Sequence, residues 1–376
     1  MEPDQEHEAF RETVRHMAME QVAPIADDMD RSDQFPLHLV DVFRDMGLVQ
    51  LAVPEQFGGP GGDVMSICIA REEVARAGSM AIATLAGQNN ALTLPVLQLG
   101  TDEQKERFLP EFAKGCITCV AITEADAGSA PADMRTTAVR DGSSWVINGM
   151  KSYITWGKMA RYCLVFARTG SERSEISGFV VEMDTDGVRE AHHNEKLGQR
   201  GLPNVELLFD NVRVPSENLL GEEGNGLVTA LRGLHQNRPM MGAIALGGAE
   251  AALAYAIEWL KNRVQNGRPI TRHQGLRWKL AELATEIEAA RGLVYRCAER
   301  FDSGAPIESV VTLSSMAKLY ASETAVRVTN DVVQLLGGAG YMREHPAERY
   351  LRDAKATTIY EGTSEVQKNT IARGLL

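Results

Sequence analysis

The chain has 376 residues, of which 44% are hydrophobic, and carries 39 Lys and Arg against 51 Asp and Glu, a net charge of −12. This length predicts two or three domains, and the acidic balance argues against broad nucleic-acid binding. Its apolar runs fall short of the ~18–20 residues of a membrane span, and the acidic first residues do not resemble a signal peptide. We therefore expect a cytoplasmic protein with neither a nucleic-acid partner nor a membrane span.

Residues 1–116 have the apolar spacing of helices, which we predict over residues 11–22, 37–46, 64–77 and 88–99. Thr101 and Gln104 have the spacing of a capping box and predict the start of another helix. The glycine-rich run 58–62 lacks the Lys-Ser/Thr of a phosphate-binding loop, so we interpret it as a plain loop. This part is predicted to be an N-terminal α-helical domain.

Residues 117–225 change to short β-rich runs separated by turn signals. The predicted strands lie at residues 118–123, 145–147, 163–167, 178–183, 205–209 and 212–214. Many short strands without intervening helices favour an antiparallel barrel or sandwich. Residues 226–376 return to helical periodicity, for instance at Leu276, Leu280, Leu283 and Ile287. The predicted fold is therefore α+β and multidomain, with boundaries at 116 and 225.

Short sequence motifs do not by themselves indicate a catalytic chemistry. Cys116 and Cys119 form a C-x-x-C that runs into a predicted strand rather than opening a helix, and a second such pair is absent. The odd number of five cysteines argues against a disulfide framework, and we expect no metal site, including at the pair His192 and His193. The sequence lacks the G-x-S-x-G and H-E-x-x-H patterns of common hydrolases.

Several separated blocks, all in order, give the chain a resemblance to the acyl-CoA dehydrogenases. They are AITEADAGS at 121–129, WVINGMKSYIT at 145–155, FDNVRVP at 209–215, QLLGG at 334–338, RDAK at 352–355 and IYEGT at 359–363. The architecture that this resemblance implies is an N-terminal α-helical domain, a middle antiparallel β-barrel and a C-terminal α-helical bundle. It agrees with the partition made from composition and periodicity.

The resemblance implies FAD-dependent α,β-dehydrogenation of an acyl-CoA thioester to the trans-2-enoyl thioester. In that reaction a carboxylate takes the α-proton and flavin N5 accepts the β-hydride. Glu361 matches the base, and its backbone N–H is expected to hold the thioester carbonyl. One branch of the family carries its base on an earlier helix, and the matching residue here, Asn237, cannot act as a base. An acyl-CoA oxidase or a carrier-protein-bound acyl desaturase on the same fold is the alternative.

The resemblance also implies binding residues and partners. The residues that match flavin positions are Thr123, Ser129, Tyr153, Thr155, Arg263, Gln274, Gln334, Gly338 and Thr363. Those that match acyl-CoA positions are Ser129, Arg238, Tyr360 and Gly362. Arg263, Gln274, Gln334 and Gly338 match positions that reach the FAD of a neighbouring subunit, so we expect a homotetramer or a dimer. An electron-transfer flavoprotein is the expected acceptor.

Departures from the family pattern occur at five positions. Tyr153 replaces a Trp over the flavin face, and Asn266 replaces a Phe expected near the flavin of the neighbouring subunit. His235 replaces an Asp that helps to hold CoA in some relatives. Ala125 replaces a Pro, and Ala130 replaces an Asp. These changes predict weaker retention of FAD or an unusual acyl carrier. Leu92, Thr93, Pro95 and Val96 are the candidate residues for the pocket floor.

Overall fold

The computed structural model describes residues 4–376, except for the side chain of Thr229. Seven α-helices precede the sheet in this part of the chain. They are α1 (Gln5–Met17), α2 (Ala26–Ser32), α3 (His38–Asp45), α4 (Val64–Arg76), α5 (Met80–Ala83), α6 (Asn90–Leu99) and α7 (Asp102–Ala113). The predicted helix 11–22 begins earlier, at Gln5, and passes into a π-helical turn (Ala18–Val22). The change in helix type precedes Pro24, which has no N–H to continue the ladder.

The capping box at the start of α7 is confirmed. Thr101 Oγ1 accepts from Gln104 N at 3.2 Å, and Gln104 Oε1 accepts from Thr101 N at 3.0 Å. The two side chains thus satisfy backbone donors that the first turn of a helix leaves unpaired. This local signal places the last N-terminal helix against the sheet.

The middle of the chain forms one eight-stranded, mainly antiparallel sheet. Its strands are β1 (Thr118–Ala121), β2 (Thr137–Asp141), β3 (Ser144–Thr155), β4 (Tyr162–Arg168), β5 (Ile176–Glu182), β6 (Val188–His193), β7 (Asn204–Pro215) and β8 (Leu219–Leu220). The order is β6-β7-β3-β2-β4-β5-β8, and β1 pairs with β4 in parallel. Strands β2 and β6 were missed from the sequence because most of their side chains are exposed and give no apolar alternation.

The predicted strands 205–209 and 212–214 form a single strand, β7. Asn211 adopts a left-handed conformation (φ 54°), and its backbone N donates to Asn148 Oδ1 at 2.7 Å. The register between β3 and β7 shifts at this point, so the strand absorbs an irregularity without ending. The two motifs that contain Asn148 and Asn211 are therefore in direct contact.

Both faces of β4 are buried, which explains its continuous apolar sequence. Cys163, Val165 and Ala167 lie in the inner cluster of the sheet, whereas Tyr162 packs against α7. The Tyr162 ring lies 5.9 Å from that of Phe108 in an edge-on geometry. The same outer cluster contains Leu92 and Val96 of α6. These two candidate pocket residues therefore pack in the core beneath the sheet.

The C-terminal part is helical except for a short hairpin. It contains α8 (Gly226–Asn262), β9 (Val264–Gln265), β10 (Arg268–Pro269), α9 (Gln274–Asp302), α10 (Ile307–Leu336), α11 (Ala347–Thr357) and α12 (Ser364–Leu375). Helix α8 approaches α4 so closely that a Cβ on Gly247 would lie 2.2 Å from Glu72 O. By length and composition α8 could cross a membrane, but 78% of its most apolar window is buried inside the fold. This burial is typical of a core helix.

Candidate active site

Glu361 lies in a tight turn between α11 and α12. Its φ is 55° and that of Gly362 is 90°, so a non-glycine residue occupies a left-handed conformation. Gln367 Nε2 donates to Glu361 O at 3.1 Å, and Lys318 Nζ donates to Gly362 O at 2.8 Å. Thr363 Oγ1 caps α12 by accepting from Val366 N. Contacts from two helices hold the turn in this unfavourable conformation, which is frequent at functional sites.

The two oxygens of the Glu361 carboxylate differ in their hydrogen bonding. Its Oε1 accepts from Asn237 Nδ2 at 2.9 Å, whereas Oε2 is buried and has no hydrogen-bond partner in the described part of the chain. Burial raises the pKa of Glu361, while the Asn237 hydrogen bond and the charges of Arg71, Lys318 and Arg238 oppose the rise. A carboxylate with a raised pKa and one open oxygen can accept a proton from a weak carbon acid.

Three buried cations surround this carboxylate. Burial lowers the pKa of Arg71 to about 10, that of Arg238 to about 10 and that of Lys318 to about 8. The negative charge of Glu361 acts on all three in the opposite direction. Glu323 and Glu365, both exposed, also act on Lys318, but among the described residues Arg71 and Arg238 are opposed by Glu361 alone, so the buried part of the site holds an excess of positive charge at neutral pH. Such an environment stabilises negative charge that develops on a bound group.

Arg238, one of the predicted substrate residues, is placed by α8 and α10. Its Nη1 donates to Ser315 Oγ at 2.8 Å and lies 2.7 Å from His235 Nδ1. Burial and the neighbouring Arg238 charge lower the pKa of His235 to about 4, so at neutral pH the imidazole is uncharged and accepts from the arginine. The His235 departure thus supports Arg238 instead of supplying a carboxylate.

Tyr360, also predicted to contact substrate, lies beside the same cations. Lys318 Nζ is 6.0 Å from the centre of its ring, and burial raises the pKa of Tyr360 to about 12. The phenol therefore stays protonated at physiological pH. The structure thus groups Tyr360, Glu361 and Gly362 with Arg238 in one site.

A second group of predicted residues meets where β1 and β3 end. Ser152 N donates to Thr123 O at 2.9 Å, which joins the loop after β1 to β3. Asn204 Nδ2 donates to Tyr153 O at 3.0 Å and to Thr155 Oγ1 at 3.1 Å. The structure therefore brings Thr123, Tyr153 and Thr155 together.

Two buried charges that the sequence did not single out support this group. Lys151 Nζ donates to Glu124 Oε1 at 2.8 Å and to Ile122 O at 3.0 Å, so it holds the residues on both sides of Thr123. Glu124 also accepts from the backbone N of Arg135 at 2.6 Å. Lys151 is fully buried. The presence of a lysine in the N-G-x-K pattern is the only local signal that could have found this pair.

The remaining predicted residues lie on the surface of the single chain. Ser129, Arg263, Gln274, Gln334 and Gly338 are exposed, and the described hydrogen bonds and ion pairs do not join any of them to Glu361. Their suggested role in a flavin site shared between subunits therefore stays a prediction.

The hairpin between β9 and β10 accounts for the Asn266 departure. Asn266 (φ 51°) and Gly267 (φ 71°) form its two-residue turn, and both have left-handed backbones. Asparagine followed by glycine is the preferred pair for this type of turn. A Phe would be unfavourable at a position that requires positive φ.

A polar cavity of about 490 Å³ lies away from Glu361, among α1, α4, α8 and α9. Its carboxylates are paired with arginines: Glu72 with Arg291, Glu73 with Arg15 and Arg11. Paired charges of this kind link helices, and we assign the cavity a structural role. The described residues contain no group of three or more His, Cys, Asp or Glu that could hold a metal ion.

The residues beside β3 fit a bound flavin. The Tyr153 side chain is 63% exposed, so an aromatic face is available for stacking on a ring system. Thr123 and Thr155 lie in the same hydrogen-bonded group, and the buried Ser152 Oγ and Trp156 Nε1 beside them have no described partner. These groups could donate to the polar atoms of a flavin.

Comparison with known proteins identifies the family. Models described as the N-terminal, middle and C-terminal domains of acyl-CoA dehydrogenase match residues 4–116, 119–212 and 224–376. An acyl-CoA dehydrogenase of Bacillus subtilis (strain 168) is 42% identical over 379 residues, which covers 100% of this chain and 99% of the relative.

Two solved structures are similar over nearly their whole length. Butyryl-CoA dehydrogenase from Megasphaera elsdenii has a TM-score of 0.96 at 36% identity and covers 100% of this chain and 99% of its own. A glutaryl-CoA dehydrogenase from Mycobacterium smegmatis, in complex with FADH2, has a TM-score of 0.90 at 30% identity, with 99% and 95% covered. The predicted architecture, cofactor and enzyme class are confirmed: the chain belongs to the acyl-CoA dehydrogenase family and is an oxidoreductase whose cofactor is FAD.

Proposed function

We propose that the chain converts an acyl-CoA thioester to its trans-2-enoyl thioester, with Glu361 as the catalytic base. The observation that carries this proposal is the buried carboxylate, one oxygen of which has no hydrogen-bond partner among the described residues, beside Arg71, Arg238 and Lys318. The α-proton of a thioester is far less acidic than a carboxylic acid, so its removal needs a base of raised pKa and stabilisation of the developing enolate.

The chain's own residues divide this work. Glu361 Oε2 takes the α-proton, because Oε1 is already occupied by Asn237. The backbone N–H of Glu361 has no acceptor in the described part of the chain and is available to the thioester carbonyl oxygen. Arg238 and Lys318 stabilise the negative charge that grows on that oxygen. Bound FAD supplies the acceptor for the hydride that leaves the β-carbon.

The flavin site is proposed to be shared between subunits. Thr123, Ser129, Tyr153 and Thr155 hold the FAD of their own chain, and Thr363 contributes through its position beside Glu361. The exposed Arg263, Gln274, Gln334 and Gly338 reach the FAD of a neighbour, so the protein is a homotetramer or a dimer. The planar guanidinium of Arg263 has parallel N–H donors that can pair with the oxygens of the FAD pyrophosphate. We further propose an electron-transfer flavoprotein as acceptor and a cytoplasmic location.

Spectroscopy of the purified protein tests the reaction. We expect a flavin absorption band that anaerobic addition of acyl-CoA thioesters bleaches. Slow return of the colour in air supports a dehydrogenase, whereas rapid return indicates an oxidase. A flavin band that no acyl-CoA bleaches, but that an acyl carrier protein thioester does, would replace the proposed substrate with a carrier-bound one.

Replacing the base tests its assignment. Glu361→Gln should lower kcat by roughly 100- to 10,000-fold, the usual contribution of a general base, with FAD retained. Glu344→Gln, at an exposed carboxylate in the segment before α11, is the control and should leave kcat unchanged. Turnover of Glu361→Gln at the wild-type rate would exclude Glu361 as the base.

A further inference from the structure

Resting on the proposed function, we propose that Arg71 is an anchor for a negatively charged group on the acyl chain, so that the substrate is an acyl-CoA whose short chain ends in a carboxylate. Arg71 lies on α4 and is 4% exposed. The resemblance to the acyl-CoA dehydrogenases assigns Arg71 no role. Its place in the site follows from three observations.

The charges around Glu361 do not balance. Arg71, Arg238 and Lys318 form no salt bridge in the part of the chain that the structure describes, although all three are buried. Among the described residues, Glu361 is the only carboxylate that acts on Arg71 and Arg238, whereas the exposed Glu323 and Glu365 also act on Lys318. A buried charge is costly unless it is paired, and Glu361 becomes neutral when it takes a proton. A second anion, delivered by the substrate, would restore the balance.

The guanidinium of Arg71 has unused donors. Its Nε donates to Ala86 O at 2.9 Å, Nη1 to Asn237 Oδ1 at 3.2 Å and Nη2 to Gly87 O at 3.4 Å. The other neighbour of Nη1 is the thioether sulfur of Met241 at 4.0 Å, a weak acceptor. Each terminal nitrogen therefore keeps an N–H for which the described residues provide no oxygen acceptor. A carboxylate can bind two N–H donors of one planar guanidinium group at the same time.

The position of Arg71 suits the far end of a short acyl chain. Asn237 bridges the two groups, because its Oδ1 accepts from Arg71 while its Nδ2 donates to Glu361 Oε1. One amide group thus separates the guanidinium from the proposed base. Asn237, Tyr360 and Glu361 are each partly exposed as residues, while Glu361 Oε2 and the Tyr360 hydroxyl are buried beside Arg71. A thioester with its α-carbon at Glu361 can extend its chain towards Arg71.

The dehydrogenation itself is unchanged by this anchor. The α-proton passes to Glu361, the β-hydrogen leaves as hydride to the bound FAD, and the distal carboxylate neither forms nor breaks a bond. Its contribution is to binding and orientation. The competing explanation is that Arg71 only orients Asn237 and Glu361. In that case its loss would affect every acyl chain equally.

Non-reactive ligands test the anchor by binding alone. S-butyl-CoA and S-(3-carboxypropyl)-CoA are thioethers of matched size that lack the acidic α-proton. We expect calorimetry on the FAD-loaded protein to show the carboxylate form binding about 10- to 100-fold more tightly, the range for a hydrogen-bonded charge. Arg71→Met should remove this preference, and Arg71→Lys should keep part of it. The control Arg76→Met, half-exposed on the same helix, should keep all of it.

Anaerobic bleaching with matched thioesters separates the two proposals. Glutaryl-CoA and succinyl-CoA should bleach the flavin at lower concentration than valeryl-CoA and butyryl-CoA. If valeryl-CoA and butyryl-CoA bleach the flavin at the same concentrations as glutaryl-CoA and succinyl-CoA, the Arg71 anchor is overturned and the proposed function stands. If the protein binds S-(3-carboxypropyl)-CoA more tightly than S-butyl-CoA but no thioester bleaches the flavin, the anchor is supported and the proposed function is overturned. Equal losses for both chain types in Arg71→Met show a positioning role and overturn the anchor. The preference for ligands that carry a carboxylate is measured on the wild-type protein, so this part of the test does not depend on whether a variant folds.

Discussion

At the scale of the residue, burial and charge act on Glu361 in opposite directions. Burial raises its pKa, and the hydrogen bond from Asn237 and the three cations reduce that rise without abolishing it. The balance suits a base that must be ionised near neutral pH and still hold a proton strongly. The left-handed backbone (φ 55°) is kept by Gln367 and Lys318 through carbonyl contacts. A single substitution can therefore change the proton affinity of the base.

Removing the charge of Lys318 should shift the pH dependence. The base must be deprotonated in the free enzyme, so kcat/KM rises with pH through the pKa of Glu361. Lys318→Met removes a cation that favours the carboxylate, so that pKa should rise and the acid limb should move to higher pH by roughly 1 unit. Lys318→Arg should keep the limb near its wild-type position. The measurement is kcat/KM against pH, and a limb that moves to lower pH would contradict the assignment.

At the scale of the element, the sheet holds its motifs together by a few buried contacts. Lys151 on β3 pairs with Glu124 in the loop after β1, and Asn148 on β3 contacts Asn211 on β7. Gly149 is required between them, because a Cβ there would lie 2.4 Å from Thr136 Oγ1. The blocks that carry the family resemblance are thus neighbours in space.

Breaking the buried pair should destabilise the sheet. Lys151→Met leaves Glu124 as an uncompensated, mostly buried carboxylate, which should cost about 3–5 kcal/mol of unfolding free energy. Guanidinium denaturation followed by circular dichroism measures the loss. Arg189→Met, which breaks the exposed pair with Asp210, should cost less than about 1 kcal/mol. If the double variant Lys151→Met with Glu124→Met lost as much as the two single variants added together, the two charges would not be coupled.

At the scale of the whole molecule, the C-terminal helices are tied to both other parts. Arg352 on α11 pairs with Asp30 on α2 at 2.7 Å, and Asp353 accepts from Gln199 N at 2.5 Å in the segment before β7. Burial raises the pKa of Asp353 to about 6. The turn that carries Glu361 follows directly after α11. Contacts from all three parts of the chain therefore set the position of this turn.

The exposed hairpin residue Arg263 links the association of subunits to the retention of FAD in the proposed shared site. Size-exclusion chromatography with light scattering should give a dimer or a tetramer. Arg263→Met should weaken FAD binding by about 10- to 100-fold through loss of a charged hydrogen bond, with the assembly unchanged. Arg268→Met, exposed on the same hairpin, is the control and should retain FAD. A monomer that keeps its full content of FAD would contradict a flavin site shared between subunits.

The sequence by itself determined the family, the three-part architecture and the candidate base. Motifs such as the Thr101 capping box and the turn at 359–363 depend on residues close together in the chain, and apolar periodicity is local as well. For that reason most of the helices and strands were predicted, although the short helices α2 and α5 were not. Strands β2 and β6 were not, because their exposed side chains carry no such pattern.

Only the tertiary structure showed what surrounds the base. Arg71 and Asn237 are 166 positions apart, and Asn237 and Glu361 are 124 positions apart, yet hydrogen bonds join them in series. Glu124 and Lys151 likewise become a buried pair only when their strands are assembled. An arginine or a lysine in a sequence is most often a solvated surface charge. Whether it is buried, and which charge it meets, depends on segments that folding brings together from distant parts of the chain.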